Sequence, residues 1–394
     1  MTVAASTVAI LAGLIWVYLA VARGGFWRGR ETEGALHAAL ARRDPTAPWP
    51  SVTAVIPARD EAEHVGSTVR SLLAQDYRGR LDVVVVDDHS ADGTAAVARD
   101  AARELGALDR LTVLAAPALP PDWTGKLSAV AHGVAHAESS SDPSPLLLLT
   151  DADIRYGPAT VSALVSSAIE NRLVLSSLMV QLRCASLAEH ALIPAFVFFF
   201  QMLYPFAWVN QRERRTAAAA GGCMLVDRLV LREAGGVAAI RNALIDDCAL
   251  ARLMKARGPI ALALGERVES LRPYPSFGDI RRMVVRSAYA QLQNSWWRLA
   301  VVVAAMAVVF IAPPVLAFVG DGLVRGVALA TWALMTILFL PMVRRYRIAP
   351  WWALGLPLIA AAYLAFTIES AWQHLRGRGG MWKGRVAARA AETS

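Results

Sequence analysis

Two apolar runs that end in aspartates decide the fold of this chain: Val-Val-Val-Val-Asp-Asp at 83–88 and Leu-Leu-Leu-Leu-Thr-Asp-Ala-Asp at 146–153. Short apolar runs bounded by turn-forming residues are typical of strands that are covered on both faces. In open parallel sheets, ligands collect at the carboxyl ends of the strands. The two runs therefore predict one acidic crevice at the edge of a parallel sheet.

The Asp-Ala-Asp spacing predicts a cation site in this crevice. Alternate residues of an extended segment point to one side, so Asp151 and Asp153 can face the same ion. A hard divalent cation held by one or two carboxylates keeps coordination positions open for phosphate oxygens. This is the geometry expected of a nucleotide-diphosphate site. The alternative role for Asp153 is to cap a helix that begins near Pro158.

Strand and helix patterns alternate on both sides of these runs. The predicted strands lie at 52–56, 81–86, 111–114 and 146–149. The helices between them are predicted to end near Gln75, Leu105 and Ala137. Repeated strand–helix units joined by short polar turns indicate an α/β fold with a parallel sheet and right-handed crossovers.

Composition indicates that part of the chain contacts lipid. Hydrophobic residues make up 56% of the sequence, above the roughly 45–50% of ordinary soluble chains. Charge-free stretches near the ~20 residues needed to cross a bilayer lie at 3–22, 299–320, 326–343 and 349–368. Basic residues follow the first stretch and none precedes it: Arg23, Arg28 and Arg30. We therefore interpret it as an uncleaved anchor, rather than a signal peptide, with its C-terminal side in the cytoplasm.

The sequence divides into four predicted regions. They are an N-terminal anchor at 1–24, a cytoplasmic domain at 45–298, a C-terminal membrane region at 299–372 and a basic tail at 373–394. The net charge of +8 includes many basic residues beside the apolar stretches, so membrane headgroups explain it better than nucleic acid. Three widely spaced cysteines without metal or disulfide spacing fit a cytoplasmic domain.

The positive-inside rule leaves the side of the C-terminus open. If each later stretch crosses once, the basic loop at 344–347 and the basic tail lie on opposite sides. Either the segment at 350–357 is a re-entrant or interfacial hairpin, or one weak span does not cross, or the tail departs from the rule.

The order of short motifs resembles family 2 glycosyltransferases of the GT-A fold. These motifs are Val-Ile-Pro-Ala-Arg-Asp-Glu (55–61), Val-Val-Asp-Asp-His-Ser-Ala-Asp-Gly-Thr (85–94), Gly-Lys (125–126), Thr-Asp-Ala-Asp (150–153), Gly-Gly-Cys-Met (221–224) and Asp-Asp-Cys-Ala-Leu (246–250). The Trp-Thr-Gly-Lys segment, between an anchor and later membrane stretches, is most similar to the hopanoid-biosynthesis-associated branch. The resemblance implies a Rossmann-like nucleotide-diphospho-sugar transferase domain that uses Mg²⁺ or Mn²⁺.

The resemblance also assigns roles to particular residues. Asp153 is the implied metal ligand, and Asp151 reaches the ribose or the metal. The residues implied to contact the nucleotide or donor are Pro57, Asp60, Glu61, Asp88, Lys126, Asp151, Gly221, Gly222 and Arg286. Simpler alternatives exist, because Asp60 and Asp92 can cap helices and Lys126 can be solvated.

Asp247 is the implied catalytic base. The alternative is an ordinary acid at a helix start, stabilised by the helix dipole. The family usually has Glu-Asp here, whereas this chain has Asp246-Asp247. Polymer-forming members carry Gln-x-x-Arg-Trp further on, and here only Arg286 of that motif remains as a candidate for the diphosphate. This departure argues against a processive synthase and favours transfer of a single sugar.

A charge-free aromatic segment interrupts the predicted domain. Residues 191–209 contain five phenylalanines, two prolines and no charge. We predict an interfacial helix at about 186–209 that borders the acceptor side of the site and admits a lipid acceptor from the membrane. The alternative is a buried core helix.

Together these features predict a multi-pass enzyme of the inner membrane with a cytoplasmic catalytic domain. It would move one sugar from a nucleotide sugar, expected to be UDP-linked, to a lipid hydroxyl. The sequence names neither the sugar nor the lipid. Other classes remain: a processive polysaccharide synthase, a non-catalytic nucleotide-sugar-binding membrane protein, and a nucleotidyltransferase, although the last lacks its Gly-rich phosphate loop after the first strand.

Overall fold

The computed structural model of the chain describes residues 3–377, 381–382 and 385–386. It contains two compact units. The sheet unit comprises Glu31–Leu182 and Trp208–Arg272, and the helical unit comprises the chain up to Arg30, Arg183–Ala207 and the chain from Pro273 through the last long helix. The predicted domain at 45–298 is therefore interrupted, because 183–207 and 273–298 group with the helices. Most of the predicted basic tail, including Arg378, Lys383 and Arg389, lies outside the described residues.

Eight strands form the sheet of the sheet unit. They are β1 (Val52–Ala58), β2 (Leu81–Asp87), β3 (Leu111–Ala115), β4 (Leu146–Leu149), β5 (Ile154–Tyr156), β6 (Leu175–Gln181), β7 (Met224–Asp227) and β8 (Ile260–Ser270). Their order in the sheet is β3-β2-β1-β4-β7-β6-β8-β5. Two further two-residue strands, β9 (Met381–Trp382) and β10 (Arg385–Val386), pair antiparallel with each other.

The sheet is wholly parallel in its first half and mixed in its second. β1 pairs in parallel with β2 and β4, and β2 pairs in parallel with β3, as predicted. β6 and β8 are parallel, but β7 runs antiparallel to β4 and β6, and β5 runs antiparallel to β8, so the parallel pairing predicted for the strands up to residue 149 does not continue through the whole sheet. The reason lies in the connections. β5 starts only five residues after β4 ends, which is too short for a parallel crossover of a dozen or more residues.

Sixteen α-helices lie within the described residues. In chain order they are α1 (Val3–Val21), α2 (Gly34–Arg42), α3 (Val65–Leu73), α4 (Thr94–Glu104), α5 (Gly125–Glu138), α6 (Thr160–Glu170), α7 (Leu187–Leu203), α8 (Phe206–Val209), α9 (Arg228–Glu233), α10 (Asp246–Lys255), α11 (Phe277–Val285), α12 (Ala288–Gln291), α13 (Trp296–Met306), α14 (Ala312–Val319), α15 (Gly322–Arg345) and α16 (Leu356–Leu375). A π-helical turn, Ala307–Ile311, joins α13 to α14, and a 3₁₀-helix, Pro350–Gly355, leads into α16.

The core of the sheet unit fixes where α5 begins. Every residue of β1 is buried, and α5 packs closely on this strand at Gly133. A Cβ atom at Gly133 would lie 2.5 Å from Val55 Cγ1 and 3.0 Å from Val86 Cγ2, closer than packed carbon atoms normally approach. The missing side chain therefore lets α5 lie against β1 and β2, which holds the start of α5 near the carboxyl ends of these strands.

The helical unit contains four helical segments long and apolar enough to cross a membrane. They are Val3–Val21, Trp296–Val319, Gly322–Arg345 and Pro350–Leu375, and they match the four predicted stretches. The second segment, Trp296–Val319, is continuous through the π-helical turn. This turn precedes Pro313 and Pro314, which lack the N–H groups that a regular α-helix needs.

The aromatic helix α7 packs within the helical unit. Its Phe199 ring lies 5.6 Å from Phe310 and 5.2 Å from Tyr363, and its Phe198 ring lies 5.1 Å from Phe339, measured between ring centroids. Ser186 and Glu189 form a capping box at its start. These contacts show that α7 packs on other helices of its unit, and its interfacial location stays a prediction.

Candidate active site

The carboxyl ends of the parallel strands bring the predicted acidic residues to one edge of the sheet unit. Asp88 follows β2 directly and is 2% exposed. Arg59, just after β1, donates from Nη1 to the Asp88 main-chain carbonyl at 2.8 Å and lies 3.4 Å from its Oδ2. The buried carboxylate thus has a cationic partner, as a buried charge requires. The prediction gave Arg59 no role, although it lies within the first motif.

The turn after β1 and the turn after β2 are tied together by their aspartates. Asp60 is exposed and has a positive φ of 49°; its Oδ1 accepts the Ala91 N–H at 2.9 Å. Asp92 accepts the N–H groups of Thr94 at 3.0 Å and Ala62 at 2.9 Å. Asp92 therefore accepts the N–H of the first residue of α4, whose N-cap is Gly93, and both aspartates link the two turns.

Lys126, at the start of α5, joins two carboxylates that are distant in sequence. Its Nζ lies 2.9 Å from Asp151 Oδ1 and 3.0 Å from Asp246 Oδ2. Burial alone would lower the pKa of Lys126, but Asp151 and Asp246 outweigh it and raise this pKa above its ordinary value. Lys126 is thus a fixed cation of the site and not the solvated lysine of the alternative.

Asp247, at the start of α10, is held by backbone N–H groups. Its Oδ2 accepts the Gly221 N–H at 3.1 Å, and its Oδ1 accepts the Cys248 N–H at 2.6 Å. Burial, followed by the charge of Asp246, raises the pKa of Asp247 to about 6. A carboxylate with a pKa near neutrality can accept a proton and later release it, which is the property of a general base.

Gly221 leaves room at the site, and Gly222 packs behind it. A Cβ atom at Gly221 would lie 3.4 Å from Lys126 Nζ and 3.7 Å from Asp247 Oδ2. Gly222 faces the sheet, because its carbonyl accepts the Thr150 hydroxyl at 2.8 Å and a Cβ there would lie 3.1 Å from Val180. Gly221 therefore borders the charged cluster, and Gly222 supports it from the core.

Asp153 has a different cationic partner from Asp151. Arg272 Nε lies 2.9 Å from Asp153 Oδ2, and Arg272 Nη2 lies 2.5 Å from Glu61 Oε1. β4 ends at Leu149, and residues 152–153 form a turn. The premise that Asp151 and Asp153 lie on one side of an extended segment is therefore wrong.

The charges of the two aspartates nevertheless interact, so a cation shared between them stays a prediction. Burial raises the pKa of Asp151, Lys126 lowers it, and the charge of Asp153 raises it further. Among the described residues, no cluster of three or more His, Cys, Asp or Glu side chains forms a metal cage. Two carboxylates supply the oxygen ligands that Mg²⁺ and Mn²⁺ prefer, with positions left for phosphate oxygens. The residues fit the cation that the sequence predicts.

An open pocket collects several of these residues. It encloses about 370 Å³, including solvent at its mouth. Its polar lining comes from Lys126, Thr150, Asp151, Gly221 and Asp246, beside Pro57 and apolar residues of α5, β4 and α10. Glu61 and Asp88 follow β1 and β2, and Asp153 directly precedes β5. Arg286 lies in the helical unit as an exposed residue directly after α11, so its diphosphate role stays a prediction.

These features define a class of protein. A mixed sheet with a parallel nucleotide-binding half, and with acidic residues at its strand ends, is the GT-A fold of nucleotide-diphospho-sugar transferases. Residues 50–290 match the model of the glycosyltransferase-like family 2. The chain belongs to this family, which uses nucleotide sugars.

The chain is similar to two sequence relatives and to a solved structure. The chain is 38% identical over 120 residues to an N-acetylglucosaminyltransferase of Rhizobium leguminosarum bv. viciae, covering 30% of this chain and 26% of that protein. It is 47% identical over 51 residues to one of Mesorhizobium japonicum, covering 13% and 12%. The chain thus spans about a quarter of the first relative and less of the second. The solved mannosyltransferase PcManGT of Pyrobaculum calidifontis, in complex with GDP-Man and Mn²⁺, superposes with a TM-score of 0.54 at 18% identity, covering 92% of this chain and 99% of that one.

Proposed function

We propose that this protein is a membrane-bound, metal-dependent, inverting glycosyltransferase that moves a single sugar from a UDP-sugar to a lipid hydroxyl. The hopanoid and related lipid pathways are the proposed setting. The observation that carries the proposal is the cluster in the sheet unit, where Lys126 joins Asp151 to Asp246 beside a half-buried Asp247. We infer that this cluster combines a cation-binding carboxylate with a general base.

The proposed reaction is an in-line displacement at the anomeric carbon. The acceptor oxygen forms a bond to this carbon while the bond to the leaving diphosphate breaks, and Asp247 takes the acceptor proton. Lys126 meets the negative charge that develops on the diphosphate. A bound Mg²⁺ or Mn²⁺, held by Asp153 and Asp151, would supply further neutralisation of that charge.

The four candidate membrane spans support the proposed membrane location and the proposed lipid acceptor. Arg23, Arg28 and Arg30 follow the first span, so we place the sheet unit on the cytoplasmic side of the inner membrane. Metal dependence has support from the similar mannosyltransferase, which was solved with GDP-Man and Mn²⁺. The relatives' names add UDP-N-acetylglucosamine to the donors worth testing.

The test is incubation of the purified full chain in lipid vesicles with Mn²⁺ and a panel of nucleotide sugars. Donor hydrolysis is then measured, and the lipids are analysed by mass spectrometry. A lipid that gains one sugar is the expected result. Products of many sugars would identify a polymer synthase, and donor binding without turnover would identify a non-catalytic binding protein.

The rate of transfer is expected to depend on pH through Asp247. A base must be deprotonated to act, so kcat/KM should rise as pH increases through about 6, the value to which burial and Asp246 raise the Asp247 pKa. Asp246→Asn removes a negative charge that raises the pKa of Asp247. The acidic limb of the profile should therefore move to lower pH in this variant. An unmoved limb would mean that it reports another group.

Phe199→Asp is expected to lower donor hydrolysis and lipid glycosylation together. The half-buried ring packs against Phe310 and Tyr363, and an aspartate there loses these contacts and leaves a charge among apolar side chains. Leu203→Asp is the matched control, since Leu203 is 49% exposed on the same helix, and should retain donor hydrolysis. Thermal unfolding and both activities are measured. If Phe199→Asp lost only lipid glycosylation, α7 would act as the interfacial helix that admits the lipid acceptor, as the sequence predicts.

A further inference from the structure

Arg272 reaches the candidate site through the pairing of β5 with β8. Ile154 lies opposite Ser270 in this antiparallel ladder, and the Leu271 N–H donates to the Asp153 carbonyl at 2.8 Å. The next residue, Arg272, is therefore held opposite the Asp-Ala-Asp turn. Its location is set by the register of the strands and not by a flexible loop.

The Arg272 guanidinium bridges two carboxylates that are almost fully buried. Nε lies 2.9 Å from Asp153 Oδ2 and Nη2 lies 2.5 Å from Glu61 Oε1. The side chains of Asp153 and Glu61 are 10% and 9% exposed, whereas that of Arg272 is 32% exposed. Buried carboxylates need a cationic partner, because their loss of hydration is otherwise unfavourable. In the chain alone, Arg272 supplies this charge.

A divalent cation at Asp153 competes directly with this arrangement. Asp153 Oδ2 also accepts from Ser270 Oγ at 3.4 Å, so the oxygen that faces Arg272 is already shared between two donors. A bound metal would supply the positive charge that Arg272 now supplies. The displaced guanidinium would then lie beside a diphosphate, and its planar N–H groups match phosphate oxygens well.

We propose that Arg272 is an internal counter-ion of the donor site: it competes with the divalent cation for Asp153 and, once displaced, binds the diphosphate of the donor. This inference rests on the proposed function. It gives Arg272 the role that the sequence alone assigned to Arg286. Binding of the metal and binding of the donor would then be coupled, because metal binding releases Arg272 to bind the diphosphate.

The test uses the purified full chain and two binding measurements. Mn²⁺ affinity without nucleotide is measured by electron paramagnetic resonance of the free ion, and UDP affinity at saturating Mn²⁺ by calorimetry. Arg272→Gln should bind Mn²⁺ more tightly, by at least about threefold, since the ion no longer competes with a guanidinium. The same variant should bind UDP about tenfold more weakly, since a charged hydrogen bond to phosphate is lost.

Arg155→Gln is the matched control. Arg155 pairs with Glu269 across the same β5–β8 ladder rather than with Asp153 or Glu61, so both affinities should stay at the wild-type values. Arg272→Lys keeps the positive charge but lacks the planar guanidinium group. It should bind Mn²⁺ like wild type and UDP with an intermediate affinity, and it provides the test if Arg272→Gln does not fold.

The direction of the two changes distinguishes the outcomes. If Arg272→Gln weakens Mn²⁺ and UDP binding together, or changes neither, Arg272 has only a structural role and the inference is overturned. If wild type binds UDP only with Mn²⁺, the proposed function stands whichever way the variant behaves. A wild-type chain that binds neither Mn²⁺ nor UDP would overturn the proposed function and the inference with it.

Discussion

Asp247→Asn is expected to lower sugar transfer to lipid at least about a hundredfold while leaving UDP affinity near the wild-type value. General-base catalysis typically contributes ~10² to 10⁴ in rate. The amide has the size of the carboxylate and can still accept one of the N–H groups from Gly221 and Cys248, but it cannot take a proton at neutral pH. Initial rates of lipid glycosylation and calorimetric UDP binding measure the two properties separately.

Asp246→Asn is the control for this variant, because it changes the neighbouring carboxylate of the same helix turn. Asp246 contacts Lys126 rather than the backbone N–H groups that hold Asp247. It is therefore more than a helix-start acid, and its loss should weaken the Lys126 cluster while leaving the base in place. We expect a smaller fall in rate than for Asp247→Asn. If Asp246→Asn were the inactive variant and Asp247→Asn the active one, the base would be misassigned by one residue; if both were active, another group would be the base.

Asp153→Ala is expected to abolish Mn²⁺-dependent UDP binding without unfolding the sheet unit. The substitution removes a carboxylate ligand and leaves Arg272 with Glu61 as its partner. A cation held by only one or two carboxylates loses much of its protein coordination when one is removed. UDP titrations with and without Mn²⁺ measure the effect, and circular dichroism checks the fold.

Asp82→Ala provides the comparison for Asp153→Ala. Asp82 lies near the start of β2, at the opposite end of that strand from Asp88, and pairs with Arg80. Its loss should leave Mn²⁺-dependent UDP binding intact. Unchanged UDP affinity in Asp153→Ala with Mn²⁺ present would remove Asp153 from the site, and the metal role would then have to rest on Asp151 alone.

Local sequence patterns predicted the parallel half of the sheet. β1, β2, β3 and β4 begin where the apolar runs begin, and each run is long enough to be a buried strand. The pattern did not reveal the mixed half. Strands β5 and β7 are three and four residues long, too short for a clear period, and their direction depends on which strand end their connections reach.

The same division applies to the candidate site. The motifs indicated Lys126, Asp151, Asp153 and Asp247 one at a time, since each follows a strand or starts a helix. They did not indicate that Lys126 would join Asp151 to Asp246. Nor did they indicate that Asp92 would tie its turn to Ala62.

The sequence by itself determined that the chain has buried strands ending in acids, a nucleotide-sugar motif order and four apolar stretches of spanning length, because each of these is a property of neighbouring residues. Only the tertiary structure decided which charges meet. Arg272 lies 119 residues from Asp153 and 211 residues from Glu61 along the chain, and it meets them because β8 pairs with β5 in one register. Strand order and register are set by the packing of the whole sheet, and a shift of one residue would turn each side chain to the other face.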